Sequence, residues 1–490
     1  METTTSNMHP TNQNATPNHP APALSKAAQL VNLAIKHADL FHDGDGVAYA
    51  KVKVKGRSEV YAVDSTEFRQ WLDGLGFAHT QTGFSQSTLN AAVATLCSRA
   101  RHVGPKRTVH LRTAIQDGVY YIDLCDAKRR VVEVGPYEWR ILDRAPVLFR
   151  RTSHMRALPL PRRNGTFDAV KSVVNLPKLS DQILVLAWLI ESLRPNTPYV
   201  GLGLFGEAGT TKSSTQHFLC SLVDPGAENL RTKPESRKDL FVEAHNSRLV
   251  SYENLSKLTP DIQDALCSML TGGGFSTRRL RTNTALTTFS IKRPVILNGV
   301  ENVVTAPDLA DRFICLDLEL VGERRTEVEV KAQQRRARGE IFGAILTSFS
   351  KALAIMPKVA QEKLDLPRMS DFAVLGEAIS RSYGMAPGWF ISVFNANRKV
   401  AVRDGVAAEP FCDALASLAL DRPGGFVGTF AELRGTLESH VRRADVVIPR
   451  SGQARRLAPA LRQLGISLAK LGQRSSRETI WQLKAVDPAR

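Results

Sequence analysis

The segment that most constrains the fold of this chain is GLFGEAGTTKSSTQ, residues 203–216. It follows the apolar run YVGLGLFG and leads into KSSTQHFLCSLV, whose apolar residues recur at helical spacing. The pattern therefore predicts a buried strand, a glycine loop and a helix, in that order. Lys212 and Ser213 stand six and seven positions after Gly206, as in the phosphate-binding pattern G-x-x-x-x-G-K-[ST]. Thr211 occupies the position of that pattern's second glycine.

The chemistry of such a loop sets what is expected of each residue. Backbone N–H groups converge on an anion, a lysine reaches the β- and γ-phosphates, and a hydroxyl at the helix start holds Mg²⁺. We therefore expect ATP and Mg²⁺ as ligands, with Lys212 on the phosphates and Ser213 on the metal. The residues expected to contact the nucleotide are Gly206, Glu207, Ala208, Gly209, Thr210, Thr211, Lys212, Ser213 and Ser214. The alternative is an ordinary glycine-rich turn between a strand and a helix.

A second strand is predicted to carry an acid. The run RLVSYEN contains Glu253 and Asn254, about 40 residues after the loop lysine, a spacing that suits a second-strand metal ligand. Glu253 is expected to hold Mg²⁺ together with Ser213, and Asn254 to orient the attacking water. Glutamate here replaces the commoner aspartate, and an asparagine stands where a catalytic glutamate is often found. The alternative is a surface acid at the end of a strand.

Two further residues follow in an order that carries more weight than either residue alone. Asn298 ends the apolar run RPVILN, from which it could sense the γ-phosphate or position water. Arg312 precedes the apolar run FICLDL and could reach the phosphate of a neighbouring subunit. That role would make the protein a homo-oligomer such as a hexameric ring. An asparagine capping a strand and an arginine in a surface turn are the alternatives.

Basic residues point to a polyanionic partner. The net charge is +17, and residues 441–490 hold eleven Lys or Arg against three acids, so DNA, single-stranded or duplex, is the expected partner. A hairpin is predicted within GGGFSTRRLRTNTALTTFS, and two helices followed by a basic hairpin near the C-terminus predict a winged helix. The expected DNA contacts are Arg278, Arg279, Arg281, Arg455, Arg456, Arg462, Arg474 and Arg477. A solvated edge hairpin and a winged helix used for protein contacts are the alternatives.

The predicted fold class is a multi-domain α/β protein with a central P-loop domain, an N-terminal α+β domain and a C-terminal winged helix. No run of about eighteen apolar residues predicts a membrane span, and the N-terminus lacks a signal sequence, so a cytoplasmic location is expected. Six scattered cysteines without C-x-x-C argue against zinc and disulfides. The predicted divisions are a disordered tail (1–24), the N-terminal domain (25–156), a linker (157–166), the ATPase domain (167–322), a helical domain (323–405) and the winged helix (406–490).

The motifs GEAGTTKSS, DALCSMLTGGGFSTRRL, RPVILNGVEN and DLADRF together resemble the ATP-binding proteins of prophages and integrative elements, relatives of superfamily 3 and viral primase-helicase AAA+ ATPases. The resemblance covers most of the chain from about Phe41. It implies a DNA-dependent ATPase of helicase type that acts in replication of a phage or mobile element, with Arg312 acting in trans. Relatives usually show Asp-Asn where this chain has Glu253-Asn254. A nucleotide-gated DNA-binding regulator with little turnover, and a helicase loader or primase accessory, remain as alternatives.

Overall fold

The computed structural model describes residues 24–272, 274–278, 286–322, 325–407, 410–422, 424–440, 458, 461–462, 465–475 and 478–485. Residues 1–23 of the predicted tail lie outside these ranges, as do five predicted DNA contacts: Arg279, Arg281, Arg455, Arg456 and Arg477. The chain forms two compact units, Met1–Thr108 and Val109–Arg490.

The first unit is a three-stranded antiparallel sheet with three helices. Its strand order is β1-β2-β3, and Leu30, Phe68 and Leu96 are buried in its core. The turn between β2 and β3 is tight, with positive φ at Lys55 and Gly56, as two-residue hairpin turns require. The elements are α1 (Lys26–His37), β1 (Ala38–His42), β2 (Ala48–Val54), β3 (Arg57–Ala62), α2 (Thr66–Thr80) and α3 (Gln86–His102).

The second unit begins with β-rich sequence that was expected to belong to the N-terminal domain. Its elements are β4 (Val109–Leu111), β5 (Thr113–Gln116), β6 (Val119–Asp123), β7 (Val131–Val134), β8 (Trp139–Leu142) and β9 (Leu148–Arg150). Strands β5 to β8 form an antiparallel sheet whose Tyr120, Ile122 and Val132 share one hydrophobic cluster with the helices that follow. The structure thus divides at Thr108 and not near residue 156. The reason is that this sheet is covered by helices distant in sequence, which local patterns do not reveal.

The centre of the second unit is a parallel sheet in the order β11-β14-β10-β15. Its elements are η1 (Phe167–Ser172), α4 (Leu179–Leu193), β10 (Gly201–Phe205), α5 (Lys212–Val223), α6 (Arg237–Asn246), β11 (Val250–Leu255), α7 (Pro260–Thr271), β12 (Gly274–Arg278), β13 (Leu286–Ser290), β14 (Val295–Gly299), α8 (Pro307–Ala310) and β15 (Phe313–Asp317). The predicted strand–loop–helix order is confirmed by β10 and α5, and the predicted hairpin by β12 and β13, which pair antiparallel. All four parallel strands bring their carboxyl ends to one edge.

The remaining elements are α9 (Glu327–Gln361), α10 (Ser370–Ser382), α11 (Trp389–Ala407), α12 (Pro410–Asp421), β16 (Phe426–Thr429), α13 (Phe430–His440), β17 (Ile466–Ser475) and β18 (Glu478–Ala485). Strands β17 and β18 form the predicted C-terminal hairpin, and β16 adds to it in the order β16-β18-β17. The second of the two predicted C-terminal helices corresponds to SGQARRLAPALRQLG, residues 451–465. Most of these residues lie outside the described part of the chain, so the winged helix stays a prediction.

One helix of the described residues, α9, is long and apolar enough by length and composition to cross a membrane. Over half of its apolar window is buried inside the protein, where Phe342, Ile345 and Phe349 join the cluster that contains α4. Core helices of soluble proteins pass the same test. The packing of α9 is therefore that of a core helix.

Candidate functional site

A cavity of about 700 Å³ opens where the carboxyl ends of β11 and β14 face the start of α5. Its volume lies in the range of roughly 300–1,000 Å³ found for ligand pockets, and its position matches the rule that open α/β sheets bind ligands beyond the carboxyl ends of their strands. The lining residues are Ala208, Gly209, Thr211, Lys212, Ser213, Ser214, Asn254, Leu255, Ser256, Val300 and Glu301. The loop singled out from sequence therefore forms one wall of the cavity.

The loop between β10 and α5 has the backbone conformation of a sharply folded turn. Gly206 and Gly209 have φ values of 133° and 93°. A Cβ atom at Gly206 would lie 2.6 Å from the carbonyl oxygen of Leu318, so this position accepts only glycine. Thr211 has φ 64° and ψ 23°, which is the left-handed region. The position of the missing second glycine thus keeps a glycine-like conformation, at a strain of about 1–2 kcal/mol for a β-branched residue.

The first turn of α5 is arranged for an anion. In the left-handed conformation the Thr211 hydroxyl does not cap the helix, and no acidic residue stands in the first turn. By contrast, Ser65 caps α2 and Thr259 caps α7 through their side-chain oxygens. The first N–H groups of α5 therefore have no capping side chain among the described residues, and the positive end of the helix dipole faces the cavity edge. Such an end binds phosphate well.

Lys212 folds back over the loop that precedes it. Its Nζ donates hydrogen bonds to the carbonyl oxygens of Gly206 (2.7 Å) and Glu207 (2.6 Å) and to Oγ1 of Thr210 (3.2 Å). Burial lowers the pKa of Lys212, and the nearby carboxylate of Asp317 opposes that shift. The ammonium group is thus held beside the loop, where an incoming anion could replace the carbonyl groups as its partner.

Asn298 connects three elements at the floor of the site. Its side chain is fully buried, and its Oδ1 accepts the backbone N–H of Asn254 at 2.8 Å. Its Nδ2 lies 3.5 Å from Oγ of Ser213, a long hydrogen bond. Asn298 is the penultimate residue of β14, which lies between β10 and β11, and it therefore links the start of α5 to the end of β11. The sequence predicted a functional Asn298 but not these contacts.

A β-bulge separates the roles of Glu253 and Asn254. Tyr252 pairs with Leu297 and Leu255 with Gly299, so β11 has one more residue than β14 over this stretch. Asn254 takes the extra turn in the left-handed region, with φ 53°, and lines the cavity. Glu253 is half-buried, its N–H bonds to the carbonyl of Arg231 at 2.8 Å, and it is not among the described residues that line the cavity. Its role as a metal ligand therefore stays a prediction.

The oxygen donors around the cavity suit Mg²⁺ in kind. Ser213 supplies a hydroxyl, Glu301 is an exposed carboxylate that lines the cavity, and Glu253 stands at the end of the neighbouring strand. The described residues contain no group of three or more His, Cys, Asp or Glu placed to hold a metal. Because Mg²⁺ is commonly held by one or two carboxylates together with substrate phosphates, this sparse donor set fits a metal that arrives with a nucleotide. Glu301 was missed in the sequence, although it follows Asn298 by only three residues.

Arg312 is placed differently from the predicted role in trans. Its side chain is almost fully buried, it forms an ion pair with Oδ2 of Asp308 at 2.8 Å, and it donates to Sγ of Cys267 at 3.4 Å. Its partners among the described residues are therefore within its own chain, and its role in trans stays a prediction. Asp308 lies one helical turn before Arg312, and their pairing could have been anticipated from that spacing. The same aspartate also pairs at 2.6 Å with Arg368, which is half-exposed.

Two buried glutamines that were missed in the sequence connect α5 to β11 and to α9. Gln216 Nε2 donates to Oγ of Ser251 (2.8 Å) and to the carbonyl of Tyr252 (3.0 Å), which joins α5 to β11. Gln334, on α9, donates to the carbonyl of Val173 (3.1 Å) and contacts Oγ of Ser214 (3.4 Å). For Gln216 the available signal was its place next to the apolar helical run that follows it, whereas Gln334 stands in the charged sequence KAQQRRAR and gave no signal. The partners of both glutamines are set by tertiary packing alone.

The predicted DNA contacts that fall within the described residues are Arg278, Arg462 and Arg474. Arg278 belongs to β12 and Arg474 to β17. Arg462 is exposed, and its Nε contacts the carbonyl of Ala458 at 3.4 Å. Contact of these residues with DNA stays a prediction.

Residues 167–388 match the model of a family described as an actinomycete integrative conjugative element replication protein. The solved structure "SCCmec type IV Cch - active helicase" is similar in fold, with a TM-score of 0.50 and 12% sequence identity over 92% of this chain and 94% of that chain. The apo structure (A form) of the NrS-1 C-terminal region has a TM-score of 0.40 at 14% identity, over 95% of this chain and all of that chain. No protein of curated function matches the sequence. The chain thus has a mixed α/β, helicase-like fold, and its central segment is similar to mobile-element replication proteins.

Proposed function

We propose that the protein is a DNA-dependent ATPase of helicase type that acts in the replication of a phage or mobile element. The observation that carries the proposal is the loop Gly206–Thr211, which presents an uncapped helix N-terminus and Lys212 to the cavity. The match of residues 167–388 to a replication-protein family supports the biological setting. The positive net charge supports DNA as the partner.

The chain's own residues divide the work of nucleotide binding. The N–H groups of the loop and of the first turn of α5 bind the β- and γ-phosphates, and Lys212 exchanges its bonds to Gly206 and Glu207 for phosphate oxygens. Mg²⁺, when bound with the nucleotide, supplies charge neutralisation at those phosphates. Ser213 would hold it, with Glu253 and Glu301 as the carboxylate candidates.

Asn298 and Asn254 are the positioning groups. Asn298 fixes the backbone of Asn254 and lies beside the Ser213 hydroxyl, so the side-chain amide of Asn254 is held at the cavity wall. An amide at this place can orient a water for attack on the γ-phosphate, which is the main task of protein groups in phosphoryl transfer. Gln334 of α9 contacts Oγ of Ser214, so a shift of the loop on hydrolysis would be transmitted to α9 through this contact.

A nucleotide-gated DNA-binding regulator is the second candidate. The bulge at Asn254 favours it, because Glu253 is displaced from the described lining of the cavity and the site then lacks an acid in the usual place. Such a protein would hold ATP as an assembly signal and turn it over little. The predicted DNA contacts in the hairpin and near the C-terminus serve either function.

The two candidates separate on one experiment. The rate of ATP hydrolysis is measured with and without single-stranded DNA, and molecular mass is measured by light scattering under the same conditions. Hydrolysis stimulated by DNA in a ring-sized oligomer supports the helicase-type ATPase. Tight ATP binding without turnover, by a dimer on duplex DNA, supports the regulator and contradicts our proposal.

A further inference from the structure

The first unit carries a cavity of about 600 Å³ that has no part in the nucleotide site. It lies where the end of α1, the start of β1, the end of β2 and the middle of α2 meet. Its walls include Lys36, Asp39, Lys51, Lys53 and Trp71. The sequence had given no function to this part of the chain.

The cavity is strongly cationic. Lys51 and Lys53 are exposed and alternate along β2 with Val52, which is buried in the core, so the two lysines share one face of the sheet. Lys36, in the last turn of α1, is exposed as well. No ion pair is described for these three lysines within the part of the chain that the structure covers.

The single acid in the wall does not cancel this charge. Asp39 forms an ion pair with Arg107 at 2.5 Å, so its carboxylate is already matched by a cation. Three ammonium groups thus remain around one concavity. Basic side chains that line one concavity concentrate positive potential there, so the cavity attracts an anion.

An aromatic wall accompanies the charge. Trp71 is half-buried, and its ring packs at a tilt against Phe68, with 5.2 Å between the ring centroids. Phe68 is fully buried in the core, so it supports the indole from behind. Leu75, one turn further along α2, extends the apolar side of the cavity. A supported indole beside several lysines is the combination that stacks a base while binding its phosphates.

We propose that this cavity, defined by Lys36, Lys51, Lys53 and Trp71, binds a single strand of nucleic acid, with a base against Trp71 and the adjoining phosphates on the lysines. A concavity of this size admits an unpaired base, whereas the bases of a duplex are stacked and paired inside the helix. An acidic peptide would use the lysines but gain little from the indole. The proposal deepens the proposed function and rests on it for the choice of DNA as the polyanion, but it makes no use of the nucleotide site.

The test uses the full-length protein without ATP and a fluorescein-labelled oligothymidylate, with binding followed by anisotropy over a series of salt concentrations. Lys36→Glu and Lys51→Glu are compared with Lys26→Glu, which makes the same charge change at the other end of α1, about 15 Å away. Each cavity variant should bind at least several-fold more weakly, with a salt slope lower by about one. Lys26→Glu should bind like the parent.

Quenching of tryptophan fluorescence by the oligonucleotide supplies a second readout, because stacking on Trp71 predicts a loss of quenching in Trp71→Phe with the fold intact by circular dichroism. Three results would each overturn the proposal. They are an equal loss of oligothymidylate affinity in Lys36→Glu and Lys26→Glu, unchanged quenching in Trp71→Phe, and displacement of the labelled oligothymidylate by polyglutamate as effectively as by unlabelled oligothymidylate. ATP binding, measured in the same variants without DNA, should match the parent. If the parent protein itself does not bind ATP, that result would count against the proposed function and not against this cavity.

Discussion

The backbone N–H of Asn254 donates a hydrogen bond to the side-chain oxygen of Asn298 at 2.8 Å, at the bulge near the end of β11. The two residues are 44 positions apart, and their contact fixes which side chain at the end of β11 faces the cavity. The geometry of the proposed nucleotide site therefore depends on the buried amide of Asn298.

Replacing Asn298 with alanine should impair hydrolysis more than nucleotide affinity. The change leaves the N–H of Asn254 without its partner, at a cost of about 1–3 kcal/mol, and frees the Ser213 hydroxyl. We expect the rate of ATP hydrolysis to fall by at least about tenfold, while the dissociation constant for ATP changes less. Asn246→Ala, at an exposed asparagine, is the control. If Asn298→Ala hydrolyses ATP at the rate of the parent, Asn298 has no role in hydrolysis.

The strain at Thr211 predicts the effect of restoring the missing glycine. Thr211→Gly removes a β-branched side chain from the left-handed region but adds flexibility to the unfolded chain, so the net gain in the free energy of unfolding should be at most about 1 kcal/mol. The free energy of unfolding of Thr211→Ala should lie between those of the parent and Thr211→Gly, because alanine keeps a Cβ atom without the branch. Thermal unfolding with and without ATP measures both stability and binding. A free energy of unfolding clearly lower in Thr211→Gly than in the parent would show that Thr211 is not strained.

A buried ion pair joins the residue just before β5 to the residue just after α5. Arg112 and Asp224 are 2.8 Å apart with side chains at 0% and 2% exposure. Removing one partner leaves a buried charge, so Arg112→Met should lower the free energy of unfolding by about 3–5 kcal/mol. The exposed pair Arg434–Glu438 is the control, and Arg434→Met should cost roughly 0–1 kcal/mol. Equal effects would indicate that residues 109–156 do not belong to the second unit.

His154 predicts a dependence of stability on pH. Its Nε2 accepts a hydrogen bond from Arg231 at 2.9 Å, which requires a neutral ring. Burial, and then Arg231, lower its pKa. The unfolded chain therefore binds a proton first as the pH falls below about 6.5, and stability decreases from there toward the folded pKa.

Glutamine cannot be protonated, so the melting temperature of His154→Gln should fall less than that of the parent when the pH is lowered from about 7.5 to about 5.5. His102→Gln, at an exposed histidine, should behave like the parent. An unchanged pH dependence in His154→Gln would show that another group is responsible.

The local parts of the site were accessible from sequence. Strand β10, the loop and α5 follow one another in the chain, and hydrophobic periodicity together with the Gly206 to Ser213 spacing predicted them. The bulge at Asn254 was not accessible, because it depends on register against β14. The same holds for the burial of Arg312, which depends on Asp308 and Cys267, and for the sheet of β5 to β8, whose cover is supplied by distant helices.

The most direct test of the account is the equilibrium binding of a fluorescent ATP analogue to Lys212→Ala, with Lys238→Ala on the surface of α6 as the matched control. Hydrogen bonds to a charged partner are each worth about 1.5–3 kcal/mol, and about 1.4 kcal/mol is a tenfold change in affinity. The account predicts that Lys212→Ala binds at least about tenfold more weakly than the parent and that Lys238→Ala binds equally well. Equal affinity of Lys212→Ala and the parent would contradict the assignment of this loop as the nucleotide site.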